Sequence, residues 1–273
     1  MPYAGPAPRP DAGPDPLPDR GSDRGPVSVR RSPRTAVVWD VLREALAERA
    51  AAAGRDSLDV LDAGGGTGGF AVPLAGLGHR VTVVDPSPDA LAALERRVAE
   101  AGVTGRVRAI QGDTTGLLDV VEPGGADVVV CHGVLEHVDD LTEAVGNLAA
   151  ALRPAGTVSL LAANRIAVVL ARALTGHFAE ARHALDDPAG RWGSGDPVPR
   201  RFAEDQLVEL LRGVGLAVRG IHGVRIFTDL VPGQLVDLEP GAADALLALE
   251  LAVAAHPTFI GIATQLHVLA TRG

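Results

Sequence analysis

From Thr35 onward the chain alternates short apolar runs with amphipathic stretches. Val37, Val38, Val41, Leu42, Ala45 and Leu46 recur at helical spacing, so an opening helix is predicted, with Ser32-Pro33 as N-cap and first turn and Gly54 as its stop. Then follow "LDVLDAG" (a buried strand), "TGGFAVPLAGLG" (a helix with Pro73 near its first turn), "RVTVVDPS" (strand) and "PDALAALERRVAEAG" (a helix capped by Ser87 or Asp89). "RVRAIQGD" and "ADVVVCHGVLEHV" read as the third and fourth strands, "LTEAVGNLAAALRPAG" as a helix and "TVSLLAAN" as the fifth strand. Beyond Asn164 the chain reads as a helix over "RIAVVLARALTGHFAEARHAL", a Pro/Gly loop over "DDPAGRWGSGDPVPRR" and a helix over "FAEDQLVELLRGVG". A strand, "LAVRGIHGVRIFTD", a helix, "GAADALLALELAVAAH", and a closing strand, "FIGIATQLHVLATR", complete it. Strands alternating with helices at this period predict an α/β fold: a Rossmann-like, seven-stranded, mostly parallel sheet with helices on both faces.

Composition adjusts this picture at its edges. Residues 1–30 are dominated by Pro, Gly, Asp and Arg, too polar to offset their ordering entropy, and are expected to form a disordered tail. The remainder, 31–273, then divides into a cofactor-binding core (31–165) and substrate-facing helices with closing strands (166–273). Lys and Arg together number 25 against 34 Asp and Glu, a net charge of −9, and every one of those basic residues is arginine. The acidic total gives no electrostatic case for nonspecific nucleic-acid binding, though it leaves room for a local arginine patch. The single cysteine, Cys131, excludes a disulfide framework within one chain and reads as a buried, inert thiol. No apolar leader or membrane-length run is present, so a cytoplasmic location without a membrane or metal is expected.

The chemistry concentrates in "LDAGGGTGGF". Gly64-x-Gly66-x-x-Gly69 matches a dinucleotide fingerprint, yet Asp62 stands just before it, separated from Gly64 by Ala63 alone. In parallel sheets the ligand sits beyond the carboxyl ends of the strands. Here those ends carry Asp62, Asp85 and Asp113. A ribose accounts for Asp85, but Asp62 would repel a pyrophosphate. A ligand with a ribose, a sulfonium and an ammonium, and no phosphate, suits all three acids. S-adenosylmethionine is such a ligand. Each acid also has a plainer reading: Asp62 or Asp113 as a cap of the following turn, and Asp85 before Pro86 as a turn residue.

"VLDAGGG", "VTVVDPS", "GD" and "LEHVDD…LRPAGTVSLL", in that order, resemble class I S-adenosylmethionine-dependent methyltransferases over about residues 34–165. "RRSPRTAVVW", "CHGVLEHV", "AANRIAVVLARALTGHF", "GVRIFTD" and "LLALELAVAAHPTFIGIATQLHVLA" narrow the likeness to the bacterial tRNA 5-carboxymethoxyuridine methyltransferases. The resemblance implies that S-adenosylmethionine is the cofactor. It places Arg34 on the methionyl carboxylate, Asp62, Gly64, Gly65 and Gly66 along the cofactor, and Asp85 on the ribose. Thr114 and Thr115 lie near the adenine and His132 closes the pocket. It also implies tRNA as the partner, methylated on the carboxylate of a wobble uridine. A small-molecule O- or N-methyltransferase and a non-catalytic S-adenosylmethionine-binding protein are the alternatives.

A carboxylate acceptor is already nucleophilic and needs a cation rather than a base. Arg165, Arg200, Arg201 and Arg225 are candidates, with Arg225 expected within the sixth strand. Arg165, Arg200 and Arg201 could each instead be a solvated surface arginine, while Arg225, flanked by Val224 and Ile226, is less easily dismissed. His137 could act as a base for an O–H or N–H acceptor or have no catalytic role. Glu136, Asp139 and Asp140 read as caps of the helix near Leu141, and Glu250 as either site-facing or solvated.

Overall fold

The computed structural model describes residues 34–273. The expected disordered tail and the Ser32-Pro33 cap lie outside the described residues. The first helix, α1 (Ala36–Ala53), buries Val37, Val38, Trp39 and Leu42 and stops at Gly54 in a left-handed C-cap. Next come β1 (Asp59–Ala63), α2 (Ala71–Gly76), β2 (Arg80–Asp85), α3 (Pro88–Glu100), β3 (Val107–Gln111) and α4 (Leu117–Val120). They are followed by β4 (Ala126–His132), α5 (Leu141–Ala151), β5 (Leu152–Ala163), α6 (Arg165–Leu174), α7 (Phe178–Asp186) and α8 (Glu204–Gly213). β6 (Leu216–Val224), α9 (Gly233–Leu238), α10 (Ala242–Val253), α11 (Pro257–Ile260) and β7 (Gln265–Arg272) complete the order.

The seven strands form one sheet in the order β3-β2-β1-β4-β5-β7-β6. Neighbours among β1 to β5 pair in parallel, and β7 runs antiparallel to both β5 and β6. This is the mostly parallel, Rossmann-like sheet expected from the alternation. Chain order reverses between β1 and β4, so a crevice opens beyond their carboxyl ends. Alternate residues of β4 supply the two cores. Val128 and Val130 pack on the α1, α2 and α3 face, while Val129 and Cys131 pack on the face covered by α5 and α8. Cys131 is fully buried, and burial pushes its thiol well above the ordinary range, as an inert core thiol requires.

At the opposite, amino end of the sheet sits a buried ionic clamp. The Asp127 carboxylate is fully buried. It accepts the Asp59 N–H at 2.8 Å, Arg153 Nη1 at 2.7 Å and Arg49 Nη2 at 3.2 Å, and it also pairs with Arg55. Burial alone would raise its pKa, but the Asp59 amide and the Arg153 and Arg55 guanidiniums outweigh it and hold the carboxyl below the usual range.

Several local features differ from the sequence reading. α5 ends at Ala151 rather than continuing through Pro154, because proline cannot extend the helical ladder. The long helix expected after Asn164 is two helices, broken at Gly176, whose φ is +80°. β6 ends at Val224, so Arg225 falls outside the strand.

Candidate active site

The glycine loop joins β1 to α2 at the switch point. The Gly64 N–H donates to Val84 O at 2.7 Å, which extends the parallel β1–β2 ladder into the start of the loop. Gly64 and Gly66 have φ of +76° and +53°, conformations that favour glycine. Space is restricted as well as torsion. A Cβ on Gly64 would stand 2.3 Å from Val134 Cγ2, and one on Gly65 would stand 2.5 Å from Asp62 Oδ2. Asp85, at the end of β2, accepts the Gly66 N–H on Oδ2 and the Ser87 N–H on Oδ1, both at 2.9 Å. Its carboxylate is thereby aimed at the loop rather than at bulk water.

Asp62 is 3% exposed, and its Oδ2 has no hydrogen-bond partner among the described residues. Burial, reinforced by the nearby Asp85 charge, pushes its carboxyl up to about 7, against the opposing bond from the Ala71 N–H. A buried carboxylate oxygen without a donor, beside a second carboxylate, is a site completed by a cation. The sulfonium and ammonium of S-adenosylmethionine fit that requirement, and a pyrophosphate does not. Asp113 differs from its two counterparts. It is exposed, and its Oδ1 accepts the Thr115 and Gly116 N–H groups, closing the turn before α4. Its plainer reading as a turn cap therefore describes the geometry.

The other cofactor candidates lie on the loop after β3, ahead of α1 and at the end of β4. Thr114 is buried and Thr115 exposed, and the carbonyl oxygens of both accept the Asn147 side-chain amide, at 3.1 and 2.6 Å. Arg34 is exposed just ahead of α1. Trp39 of that helix stacks on Phe70, whose ring meets His132 edge-on at 4.5 Å. His132 ends β4, and burial pushes its imidazole down to about 3. Its Nε2 lies 2.8 Å from Ser159 Oγ, which in turn lies 2.8 Å from His267 Nε2. Sequence reasoning missed Ser159 and His267. Their alternation within buried strands was the only available signal.

Beyond β4 and β5 lies a second cleft of about 380 Å³, lined by Glu136, His137, Asn164, Arg201, Arg225 and Asp229 among others. Arg225 adopts φ +60°, unusual for a side chain of its size. Its Nη2 pairs with Asp229 at 2.5 Å, and its Nε is buried without a partner among the described residues. Glu250 of α10 holds the turn that carries it. This fully buried carboxylate accepts the N–H groups of Ile226, Phe227 and Thr228 and the Thr228 hydroxyl. Glu250 is thus neither solvated nor site-facing.

The remaining arginines are engaged elsewhere. Arg165 donates to the carbonyls of Leu185 and Asp187, and Arg200 to that of Val138. Arg201 reaches the cleft wall but is held bidentately by Asp196 at 2.6 and 3.0 Å. His137 is exposed at the cleft. Of the three acids read as caps, Asp140 caps α5 by accepting the Glu143 N–H. Asp139 is exposed. Glu136 is not a cap. It is buried, its Oε1 accepts the Ala163 N–H at 2.7 Å, and burial raises its carboxyl.

No group of three or more His, Cys, Asp or Glu among the described residues could hold a metal ion. None of the described helices is long and apolar enough to cross a membrane.

Comparison with known proteins agrees with this geometry. Residues 60–156 match the family model described as a methyltransferase domain. A tRNA 5-carboxymethoxyuridine methyltransferase of Escherichia coli K12 is 29% identical over 239 residues, covering 88% of each chain. A ubiquinone biosynthesis O-methyltransferase of Methylobacterium nodulans is 37% identical over 122 residues, 44% of this chain and 47% of that one. Among solved structures, an S-adenosylmethionine-dependent methyltransferase from Mesorhizobium loti superposes with a TM-score of 0.56 at 17% identity, covering 87% of this chain and 98% of the other. The [4+2]-cyclase SpnF superposes with a TM-score of 0.57 at 20% identity, covering 85% and 81%. These two show the fold alone. With the strand order, the glycine loop and the orphaned carboxylate, these matches support a class I S-adenosylmethionine-dependent methyltransferase.

Proposed function

We propose that the enzyme esterifies the carboxylate of 5-carboxymethoxyuridine at the wobble position of tRNA. Arg225 carries the reading, as a guanidinium held in a left-handed turn at the wall of the second cleft. Strained residues of this kind cluster where structure over-determines them for function. The extent of the Escherichia coli match supports the acceptor, since 239 aligned residues must run well past the cofactor core.

In this reading Asp62 faces the cationic end of the cofactor, and Asp85 binds the ribose hydroxyls. Gly64, Gly65 and Gly66 let the backbone approach the methionyl part, whose carboxylate Arg34 holds. Thr114 and Thr115 lie by the adenine. S-adenosylmethionine, when bound, supplies an electrophilic methyl on its sulfonium. The chain's own task is to orient the acceptor and exclude water. Arg225 pairs bidentately with the acceptor carboxylate, sharing it with Asp229. The acceptor is nucleophilic as it stands, so no side chain has to remove a proton. A cytoplasmic location belongs to the same proposal.

The second reading, a small-molecule O- or N-methyltransferase, is favoured by His137, exposed at the cleft where a base could act. The engagement of Arg165, Arg200 and Arg201 by the protein itself also favours it, since these three guanidiniums are already paired within the chain. One experiment separates the two. The enzyme is incubated with S-adenosylmethionine and either tRNA bearing the free-acid nucleoside or a metabolite pool, and the products are read by mass spectrometry. The methyl ester in digested tRNA, lost in Arg225→Ala, supports the proposal. Turnover of a metabolite with tRNA unmodified overturns it, and binding of cofactor with no turnover at all returns the non-catalytic alternative.

A further inference from the structure

A row of histidines crosses the sheet at the level of the cofactor crevice. His132 on β4, Leu161 on β5, His267 on β7 and His222 on β6 are paired in register, so their side chains share one face. Ser159, two residues before Leu161, shares it as well. Ser159 and His267 are fully buried. The Ser159 hydroxyl lies 2.8 Å from Nε2 of His132 on one side and 2.8 Å from Nε2 of His267 on the other. The His222 ring follows, with its centroid 5.8 Å from that of His267.

The arithmetic of protons constrains this bridge. A hydroxyl that accepted from both rings would leave its own proton in need of a third partner, and the two imidazoles are the partners of Ser159 Oγ among the described residues, so it donates to one and accepts from the other. Burial holds both rings uncharged. One ring must then carry its proton on Nε2 and the other on Nδ1, so the two histidines hold opposite tautomers. Turning either ring over would break a bond. Nδ1 of both rings has no partner among the described residues, so the bridge is the hydrogen bond that pins them.

We propose that Ser159 and His267 are positioning residues, locking the ring orientation and tautomer of His132 at the rim of the cofactor pocket. The proposal rests on the placement of His132 beside the cofactor. Its physical value is specific. A ring that turned freely would present N–H and C–H edges in turn to a cationic ligand, whereas a locked neutral ring presents one.

The test uses the full chain labelled with ¹⁵N-histidine. Long-range ¹H–¹⁵N spectra report the tautomers, His132→Gln and His267→Gln identify the two resonances, and calorimetry follows S-adenosylmethionine. Opposite tautomers are expected for His132 and His267, with the His132 signal moving on cofactor addition. Ser159→Ala is expected to leave His132 a mixture of tautomers and to weaken cofactor binding roughly fivefold to tenfold, the loss of one net hydrogen bond. His267→Leu should reproduce that loss, while His267→Gln, which keeps a donor and an acceptor, restores a single His132 tautomer. Identical tautomers in the wild type overturn the proposal. So does a Ser159→Ala protein in which affinity falls while the His132 tautomer stays fixed, because the serine then acts on packing alone. A normal heat of cofactor binding with an unmoved His132 signal shows that His132 is misplaced, and the proposal falls with that placement while cofactor binding stands.

Discussion

Glu250→Gln is the substitution whose cost can be worked most directly from geometry. Glu250 Oε1 receives the Phe227 N–H at 2.9 Å and the Thr228 N–H and hydroxyl, each at 2.7 Å. Oε2 receives the Ile226 N–H at 2.9 Å. A glutamine in its better orientation keeps an oxygen for the three donors and turns its NH₂ toward the fourth. The Ile226 N–H then meets another donor in a buried site, at a cost of about 1–3 kcal/mol. The other three bonds change from charge-assisted to neutral, each weaker by about 1 kcal/mol and not fully additive. The expected loss is about 3–5 kcal/mol, or roughly 10 °C in Tm for a chain of this size. Urea denaturation with matched m-values measures it. Because the turn carries Arg225, the acceptor KM should rise while cofactor affinity stays as in the parent. A loss below about 1 kcal/mol would refute the reasoning, because it would mean that the four donors do not depend on the carboxylate.

Three further substitutions probe the rest of the molecule. Arg225→Gly relieves a left-handed residue and should leave stability unchanged or raise it by about 0.5–1 kcal/mol, while acceptor methylation falls at least about tenfold; a large stability loss on denaturation would show that the turn needs the Arg225–Asp229 pair. Asp62, raised to about 7, keeps its proton in the folded apo chain over a range where the unfolded chain has released it. Its contribution to stability therefore falls as pH rises from about 4 to about 7, and Asp62→Asn removes that slope. Cofactor binding near neutrality should expel the proton, visible in calorimetry as a dependence on buffer ionisation heat; a buffer-independent heat counts against cation pairing at Asp62. Asp127 has the opposite sign. Its depressed value stabilises the fold above the ordinary carboxylate range and is lost as pH falls through the folded value. Asp127→Asn should cost about 3–5 kcal/mol at neutral pH, with the gap to the parent closing in acid; a constant gap across denaturation curves would mean that packing, not charge, sets the cost.

The parts of this molecule written as local patterns were readable from sequence. The parallel strands, the Ser87 and Asp140 caps and the glycine loop each depend on residues a few positions apart. The misfit of Asp62 was visible too, because its charge conflicts with the phosphate reading of its own loop, and the structure finds that carboxylate buried with an unpartnered oxygen. What could not be read depends on distant pairing. Arg225 looks like a strand residue between Val224 and Ile226, and only the Glu250 carboxylate, 24 residues from Ile226, bends the chain there. Glu136 sits where a cap is plausible, yet its partner is the Ala163 amide on the neighbouring strand. The Ser159 bridge joins residues 27 and 108 positions apart, and no short window contains both.

The placement of β7 has a consequence for biosynthesis. Among the described strands β6 pairs with β7 alone, and β7 lies between β5 and β6 although it is made after both. Until Gln265–Arg272 has left the ribosome, β5 presents an open edge and β6 has no partner. β1 to β5 already contain the glycine loop, Asp62, Asp85 and His132, and their parallel pairing needs nothing downstream. A nascent chain can thus assemble the crevice at the β1/β4 switch point first, in keeping with the N-to-C order of synthesis. The second cleft and the His267 end of the histidine row wait for the final strand to be threaded between its neighbours. An enzyme stalled or clipped before Gln265 would retain the glycine loop, Asp62 and Asp85 but expose two sheet edges, the condition under which strands pair with the wrong chain.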